Sequence, residues 1–424
     1  MEILNNNFKS YHVEAWDILQ HIFKVNKIND HTLHFVSEFS GKLDLERLRQ
    51  AVDISIDAFP LIRCVYNETK RKPFWEDKGY TADDVIEYIE AQDTDEEMIE
   101  HLYQEIDGFN GPQLRIKVIQ REEKHIMCVL INHMLCDAAG FKDYLYMLSD
   151  IYTNIDRKLD YSIAAMGNRK IKQVLKVFSI PDKLKIMFSK INMSVNDDSS
   201  FNFEGDINNP FIELRKIDKE KFLRLKAFAK KHDATINDIM LTAYQRVLFQ
   251  LFGKAISIPC TVDLRKYLLN HKAEGICNLP TNLFCNIGSE VGETFEQTIY
   301  KVKQTMDKQK SNNSCVKSLI MLEKVFDIFP NKLARNIIEK NFSNPLIAFT
   351  NIGIIDKKRI VFGEIEITEA FMTGSIKYCP YFQLAVSTFA DKVTLSVNLY
   401  GTKADRIKVS DFLDKFIAEL QTIM

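Results

Sequence analysis

Glycine and proline are scarce in this chain of 424 residues, at 15 and 10, which excludes collagen-like repeats and a chain made mostly of linkers. An excess of either charge is also lacking. The 56 Lys and Arg nearly cancel the 58 Asp and Glu, so no general field draws the protein to nucleic acid. No uninterrupted apolar run reaches the roughly 18 residues of a membrane-spanning helix. The start, Met1-Glu2-Ile3-Leu4-Asn5, has no basic region leading into an apolar core, so no signal peptide is expected. The eight Cys form no C-x-x-C pair, and most lie in apolar runs such as Ile126-Met127-Cys128-Val129. They read as buried free thiols of a cytoplasmic protein rather than a disulfide framework. Also missing are the G-x-S-x-G elbow, the phosphate loop, G-x-G-x-x-G and H-E-x-x-H. His31 and His34 stand at odd spacing in a strand-like run, so their rings should face opposite sides and no metal site is expected.

What is present suits a large packed protein. Apolar residues make up 46%, with 29 Phe, and the length favours two domains or one duplicated unit. Thr32 to Phe39 reads as a strand. Asp44 can cap a helix with Leu45, Leu48, Val52 and Ile56 on one face, and Leu61 to Tyr66 reads as a second strand. Gln113–Gln120 and His125–Asn132 form a hairpin around a charged turn, with a helix after it. Gln383–Leu420 repeats that order, with Ala390-Asp391-Lys392 as the turn and Asn398 in the place of Asn132. The repeat implies duplication of an α/β unit. Expected boundaries are 1–160, a crossover linker at 161–210, and 211–424. Further helices are expected at 218–231, 236–252, 294–310, 319–340 and 405–422. Further strands are expected at 211–217, 256–262, 346–351, 360–371, 382–390 and 393–399.

His133 follows a continuous apolar strand and precedes a helix, in Ile131-Asn132-His133-Met134-Leu135-Cys136-Asp137. An imidazole there can face a cavity from a rigid backbone, and it titrates near neutrality. Asp137 can cap the helix or pair with a cation. Taken alone, H-x-x-x-D equally describes a core histidine beside an ordinary cap.

The surrounding segments resemble the chloramphenicol acetyltransferase-like superfamily, which includes condensation domains, alcohol acetyltransferases and polyketide-associated acyltransferases. The match runs in order along the chain: Glu38 to Asp44 with Phe59-Pro60-Leu61-Ile62-Arg63, then His133 and Asp137, Val262-Asp263-Leu264-Arg265, Asn278 to Asn282, and Thr350-Asn351-Ile352-Gly353. The resemblance implies an α/β fold of two acetyltransferase-like sandwiches with a channel between them, in a monomer of secondary metabolism. It implies His133 as general base, Asp137 paired with Arg265 as support, and Thr350 and Asn351 as oxyanion or substrate contacts. The implied donor is acyl-CoA or a phosphopantetheine thioester on a separate carrier protein, and the acceptor a small alcohol or amine. No metal, resident cofactor or covalent acyl-enzyme is implied. Asn132 replaces the first His of condensation domains, Ala138 replaces the motif Gly, and the D-F-G-W-G motif is reduced to Asn398-Leu399-Tyr400-Gly401. Amide formation on carrier-bound substrates and a non-catalytic homologue are the alternatives. Residues 168–191, rich in Lys and Arg and interleaved with apolar residues, read as a helix pair over the interdomain groove. The alternative there is an amphipathic surface for a membrane, a carrier protein or coenzyme A phosphates.

Overall fold

A computed structural model describes residues 3–5, 8–68, 72–91, 93–157, 159–189, 199–311, 313, 315–341 and 344–424. The end of the basic stretch, the beginning of the turn-rich run after it, and Met1 and Glu2 lie outside the described residues.

The first half is built on β1 (Thr32–Phe39), α1 (Leu45–Ala58), β2 (Leu114–Arg121), β3 (Lys124–Asn132) and α2 (Ala138–Asn154). Asp44 caps α1 through the Arg47 amide, as its position predicts. Between the halves lies α3 (Ile180–Phe188). The second half contains β4 (Pro210–Ile217), α4 (Ile236–Phe252), β5 (Ile258–Asp263), β6 (Pro280–Cys285), β7 (Ile347–Ile355), β8 (Ile367–Thr373), β9 (Phe382–Phe389), β10 (Lys392–Tyr400) and α5 (Lys403–Gln421).

The expected echo is visible in the register. β2 and β3 pair antiparallel to Arg121↔Lys124, and β9 and β10 to Phe389↔Lys392. Each hairpin turns through positive-φ residues, Glu122 in the first and Ala390 with Asp391 in the second, which suits the twist of tight hairpins. Each is followed by a capped helix, with Asp137 capping α2 and Thr402 capping α5.

Two large sheets result. One runs β8-β1-β3-β2 and ends on Ile86–Glu90. The other runs β6-β5-β7-β9-β10, with β4 on β10. β8 is second-half sequence in a first-half sheet, pairing antiparallel with β1 from Ile367↔Phe39 to Thr373↔His34. The expected boundary at 211 therefore separates the sequence but not the sheets. Three other expectations shift. The strand expected over 360–371 is β8, which begins only at Ile367 after a turn. Leu61 to Arg63 forms a 3-10 turn rather than strand, because Pro60 starts it, and strand begins at Cys64. The helix expected over 319–340 is two helices, Cys315–Ile328 and Asn331–Asn341, broken at Pro330.

The 161–210 linker also does more than cross over. Arg169, Ile171, Gln173, Val174 and Ile186 are buried, the three aliphatics in the first-half core. All eight cysteines are free, six of them buried. Among the described residues no helix is long and apolar enough to cross a membrane.

Candidate active site

β3 is buried along its length after Lys124, so its last residue leaves the strand from a fixed point. Asn132 fixes the turn that follows. It is fully buried, its amide donates to Gln113 Oε1 at 2.6 Å, and its Oδ1 accepts from the Met134 amide at 2.9 Å. Gln113 in turn donates to the carbonyls of Cys64 and Gly111, both at 2.9 Å. Asn132 is thus a buried strut, with both ends of its side-chain amide engaged.

His133 is half-buried on this turn. Its amide donates to the His31 carbonyl at 2.5 Å, and its own carbonyl accepts from Asn278 Nδ2 at 3.1 Å. The ring meets the Cys136 carbonyl through Nδ1 at 3.0 Å. A carbonyl can only accept, so the hydrogen-bond network assigns the proton of the neutral ring to Nδ1. Nε2 then keeps its lone pair, the form a general base needs. Burial lowers the pKa of His133 below the ordinary imidazole value, outweighing Asp137 and the backbone hydrogen bonds, which raise it, while Lys377 lowers it a little further. The ring is therefore neutral at neutral pH.

Asp137 holds the other end of the turn. Its Oδ1 accepts from the Gly140 amide at 2.8 Å, capping α2. Its Oδ2 accepts from the Leu279 amide at 2.8 Å and from Arg265 Nη1 at 2.9 Å. Arg265 also donates to Asp263 Oδ1 at 3.0 Å and to the Cys277 carbonyl at 2.8 Å. Burial pushes the Asp137 carboxyl up, but Arg265 and the hydrogen bonds outweigh it and hold the pKa below the usual carboxylate value. Both side chains are nearly excluded from solvent. Removing one partner of such a pair strands a buried charge and costs about 3–5 kcal/mol. Arg265 follows β5 and Asp137 precedes α2, so the pair ties the two halves at the turn.

The close packing of this turn falls on Gly140 rather than on Ala138. A Cβ at Gly140 would stand 2.8 Å from Cys136 Cβ and 2.8 Å from the Cys277 carbonyl. Close approach is therefore demanded at Gly140, whereas Ala138 is the first residue of α2 and only half-buried. The thiol of Cys136 is fully buried and pushed well above its ordinary pKa by that burial. It packs beneath the turn and is not poised as a thiolate.

Thr350 and Asn351 lie in neighbouring positions of β7 but face opposite ways. Asn351 turns to α4, its Nδ2 donating to Asn237 Oδ1 at 3.3 Å while its Oδ1 accepts from the Gly353 amide at 2.9 Å. Thr350 is half-buried and pairs in register with Ala385, which packs in the first-half core. The structure joins His133, Asp137 and Arg265 in one network and leaves Thr350 and Asn351 outside it.

Two basic residues carry no motif signal and nonetheless belong here. Arg169 bonds the Leu135 carbonyl at 2.9 Å, the Ile276 carbonyl at 3.0 Å and both oxygens of buried Asp17. It braces the motif from beneath. Lys377 lies on the two-residue strand Lys377–Tyr378 beside β10, and its Nζ donates to Asn29 Oδ1 at 3.2 Å. The adjacent Ile376 carbonyl accepts from the Asp30 amide, next to His31. Burial lowers the pKa of Lys377 to about 8. Only side-chain burial and a second-half strand place these two residues, and neither is legible from local sequence.

Among the described residues no cluster of His, Cys, Asp and Glu is arranged to hold a metal ion. A cleft of ≈ 400 Å³ lies between α2 and residues 272–276 and 358–361, with Tyr146, Met147 and Arg359 in its wall. His133 lines neither this cleft nor a ≈ 30 Å³ hollow beside Glu14 and Phe326.

No family model matches the chain, and no curated protein matches its sequence. Solved structures match over nearly all of it. TRI3 trichothecene 15-O-acetyltransferase from Fusarium sporotrichioides is 11% identical at a TM-score of 0.69, covering 98% of this chain and 95% of its own. The first condensation domain of the calcium-dependent antibiotic synthetase is 11% identical at 0.69, covering 99% and 97%. Polyketide synthase associated protein 5 from Mycobacterium tuberculosis is 15% identical at 0.63, covering 98% of both. At such identities the likeness carries the fold alone: this chain has the pseudo-dimeric fold shared by these acetyltransferase and condensation-domain structures.

Proposed function

We propose that the protein is an acyltransferase that moves an acyl group from a thioester to a hydroxyl or amine, with His133 as general base. The observation that carries the reading is the Nδ1 bond of His133 to the Cys136 carbonyl, which frees Nε2 as an acceptor. In this reading Nε2 takes the proton from the acceptor O–H or N–H as its heteroatom attacks the thioester carbonyl. The tetrahedral oxyanion collapses, the C–S bond breaks, and the proton on Nε2 passes to the departing thiolate. An ester or amide and a free thiol result, and atoms and charge balance without a covalent enzyme intermediate.

Holding both substrates at the seam between the halves supplies much of the rate. Thr350, on the face of β7 towards the first half, and the Lys377 ammonium are the donors proposed for the oxyanion. Asp137 and Arg265 act through the turn and touch no substrate. The donor is acyl-CoA or carrier-bound phosphopantetheine, and the working unit is a monomer of the cytoplasm. Condensation-type amide formation uses the same groups with an amine acceptor, and preference for a loaded carrier over acyl-CoA would select it.

The test is thiol release from a panel of acyl thioesters with alcohol and amine acceptors. The wild-type chain is expected to release thiol only when an acceptor is present, and His133→Ala to lose the activity. Acceptor-dependent release that survives His133→Ala would refute the base assignment. No release with any donor would point to a non-catalytic homologue.

A further inference from the structure

The basic stretch presents an outward face that acyl transfer does not use. α3 is anchored by Ile186, buried in the first-half core, by Met187, which packs against that core beside the edge of the outer face, and by Lys317, which holds the Ser189 carbonyl just after the helix at 2.6 Å. At 100° per residue Ile180, Leu184 and Phe188 fall within one 80° stripe, opposite Ile186. That stripe is bare, with the three residues 75%, 53% and 84% exposed. Lys183 lies about 60° beyond one edge of the stripe and Lys185 about 60° beyond the other. Neither ammonium has an acidic partner among the described residues. The one acid of the helix, Asp182, points away from the stripe and is held by Ser179 Oγ at 2.5 Å. Val177 just before the helix is half-exposed. Leu269, two residues after Tyr267, whose ring centroid lies 5.3 Å from that of Phe178, is 83% exposed.

From this arrangement we infer that α3 is a membrane-docking helix that seats Ile180, Leu184 and Phe188 among the lipids of an anionic surface, with Lys183 and Lys185 at the headgroups. The geometry favours lipid over a protein partner. A stripe about 12 Å long on a convex helix offers a few hundred Å² on this side, short of the roughly 800 Å² per partner that a standard specific interface buries. Lipid imposes no such minimum and accepts separate apolar side chains flanked by cations. The inference is independent of the acyl-transfer reading.

Co-sedimentation of the full chain with phosphatidylcholine vesicles, with and without phosphatidylserine, tests it. The chain is expected to pellet with the phosphatidylserine vesicles at low salt and to be released at high salt. Lys183→Gln and Lys185→Gln should each weaken binding about fivefold. Ile180→Ser/Leu184→Ser/Phe188→Ser should weaken it about tenfold or more, with an unchanged melting temperature because the stripe is exposed. Failure of the wild-type chain to pellet overturns the proposal, as does equal binding by the triple variant. Retention by an acidic protein through the same residues, without vesicle binding, would make α3 a protein contact and also overturn it.

Discussion

At the scale of single residues, the turn after β3 works by division of labour. Asn132 fixes the backbone, Asp137 and Arg265 fix the loop's far end, and His133 alone is left with a free ring nitrogen. Gly140 sets how closely the loop packs on the second half. Gly140→Ala forces its Cβ against Cys136 and the Cys277 carbonyl, neither of which can retreat from a packed core. A loss of about 1–3 kcal/mol in urea unfolding is expected, and no shift of the midpoint would show that the contact is slack. Asp137→Asn leaves the buried Arg265 guanidinium with Asp263 as its remaining carboxylate. Asp263 is partly exposed, so the expected loss is near about 3 kcal/mol, the low end for a broken buried pair. A change under about 0.5 kcal/mol would mean the pair contributes nothing net.

At the scale of elements, the sequence was most legible where a local signal fixes a local outcome. The β2–β3 and β9–β10 hairpins, and the Asp44 cap of α1, stand within a residue or two of where alternation and turn residues put them. The pairing of Asp137 with Arg265 stands where the order of the surrounding segments put it. What escaped notice depends on contacts distant in sequence. β8 reads as an ordinary second-half strand, and only its pairing with β1 reveals that it completes the other sheet. Arg169 reads as one more lysine-like charge in a basic run, yet it is buried on Asp17 and the Leu135 carbonyl. Asn351 beside Thr350 looks equivalent in sequence, but the pleat sends it to Asn237 instead.

At the scale of the whole molecule, β8 and the Asp137–Arg265 pair stitch the halves together. The two halves are therefore expected to unfold as one unit. Near-ultraviolet and far-ultraviolet signals should give coincident urea transitions, and a first transition confined to one half would contradict the stitching. Stability should also fall with acid. Burial lowers His21 and His34 to about 4 and His101 to about 3. Below the ordinary imidazole value the unfolded chain binds protons that these native rings refuse, so each costs up to about 1.4 kcal/mol per pH unit as pH falls. Asp30 works the other way. Burial raises it to about 7, so the native state gains its proton first and stability rises as pH falls from there towards the ordinary carboxylate value. His12, His31, His125 and His133 are lowered too, against Glu14, Asp17, Asp143, Asp263 and Glu323 raised; the histidines are expected to dominate, and the melting temperature to drop from pH 7 to pH 5. A flat profile would mean that the histidines are hydrated in solution.

The central claim is that His133 acts as a neutral base held ready by its turn. It is tested most directly by the pH dependence of kcat/KM for thioester-to-acceptor transfer, measured for the wild-type chain and His133→Ala. The wild-type rate should hold below the ordinary imidazole pKa and fall only at more acid pH, following the lowered pKa of the ring. His133→Ala should lie about 10²–10⁴ lower and lack that acid limb. A His133→Ala enzyme with the wild-type rate and the same acid limb would contradict the account.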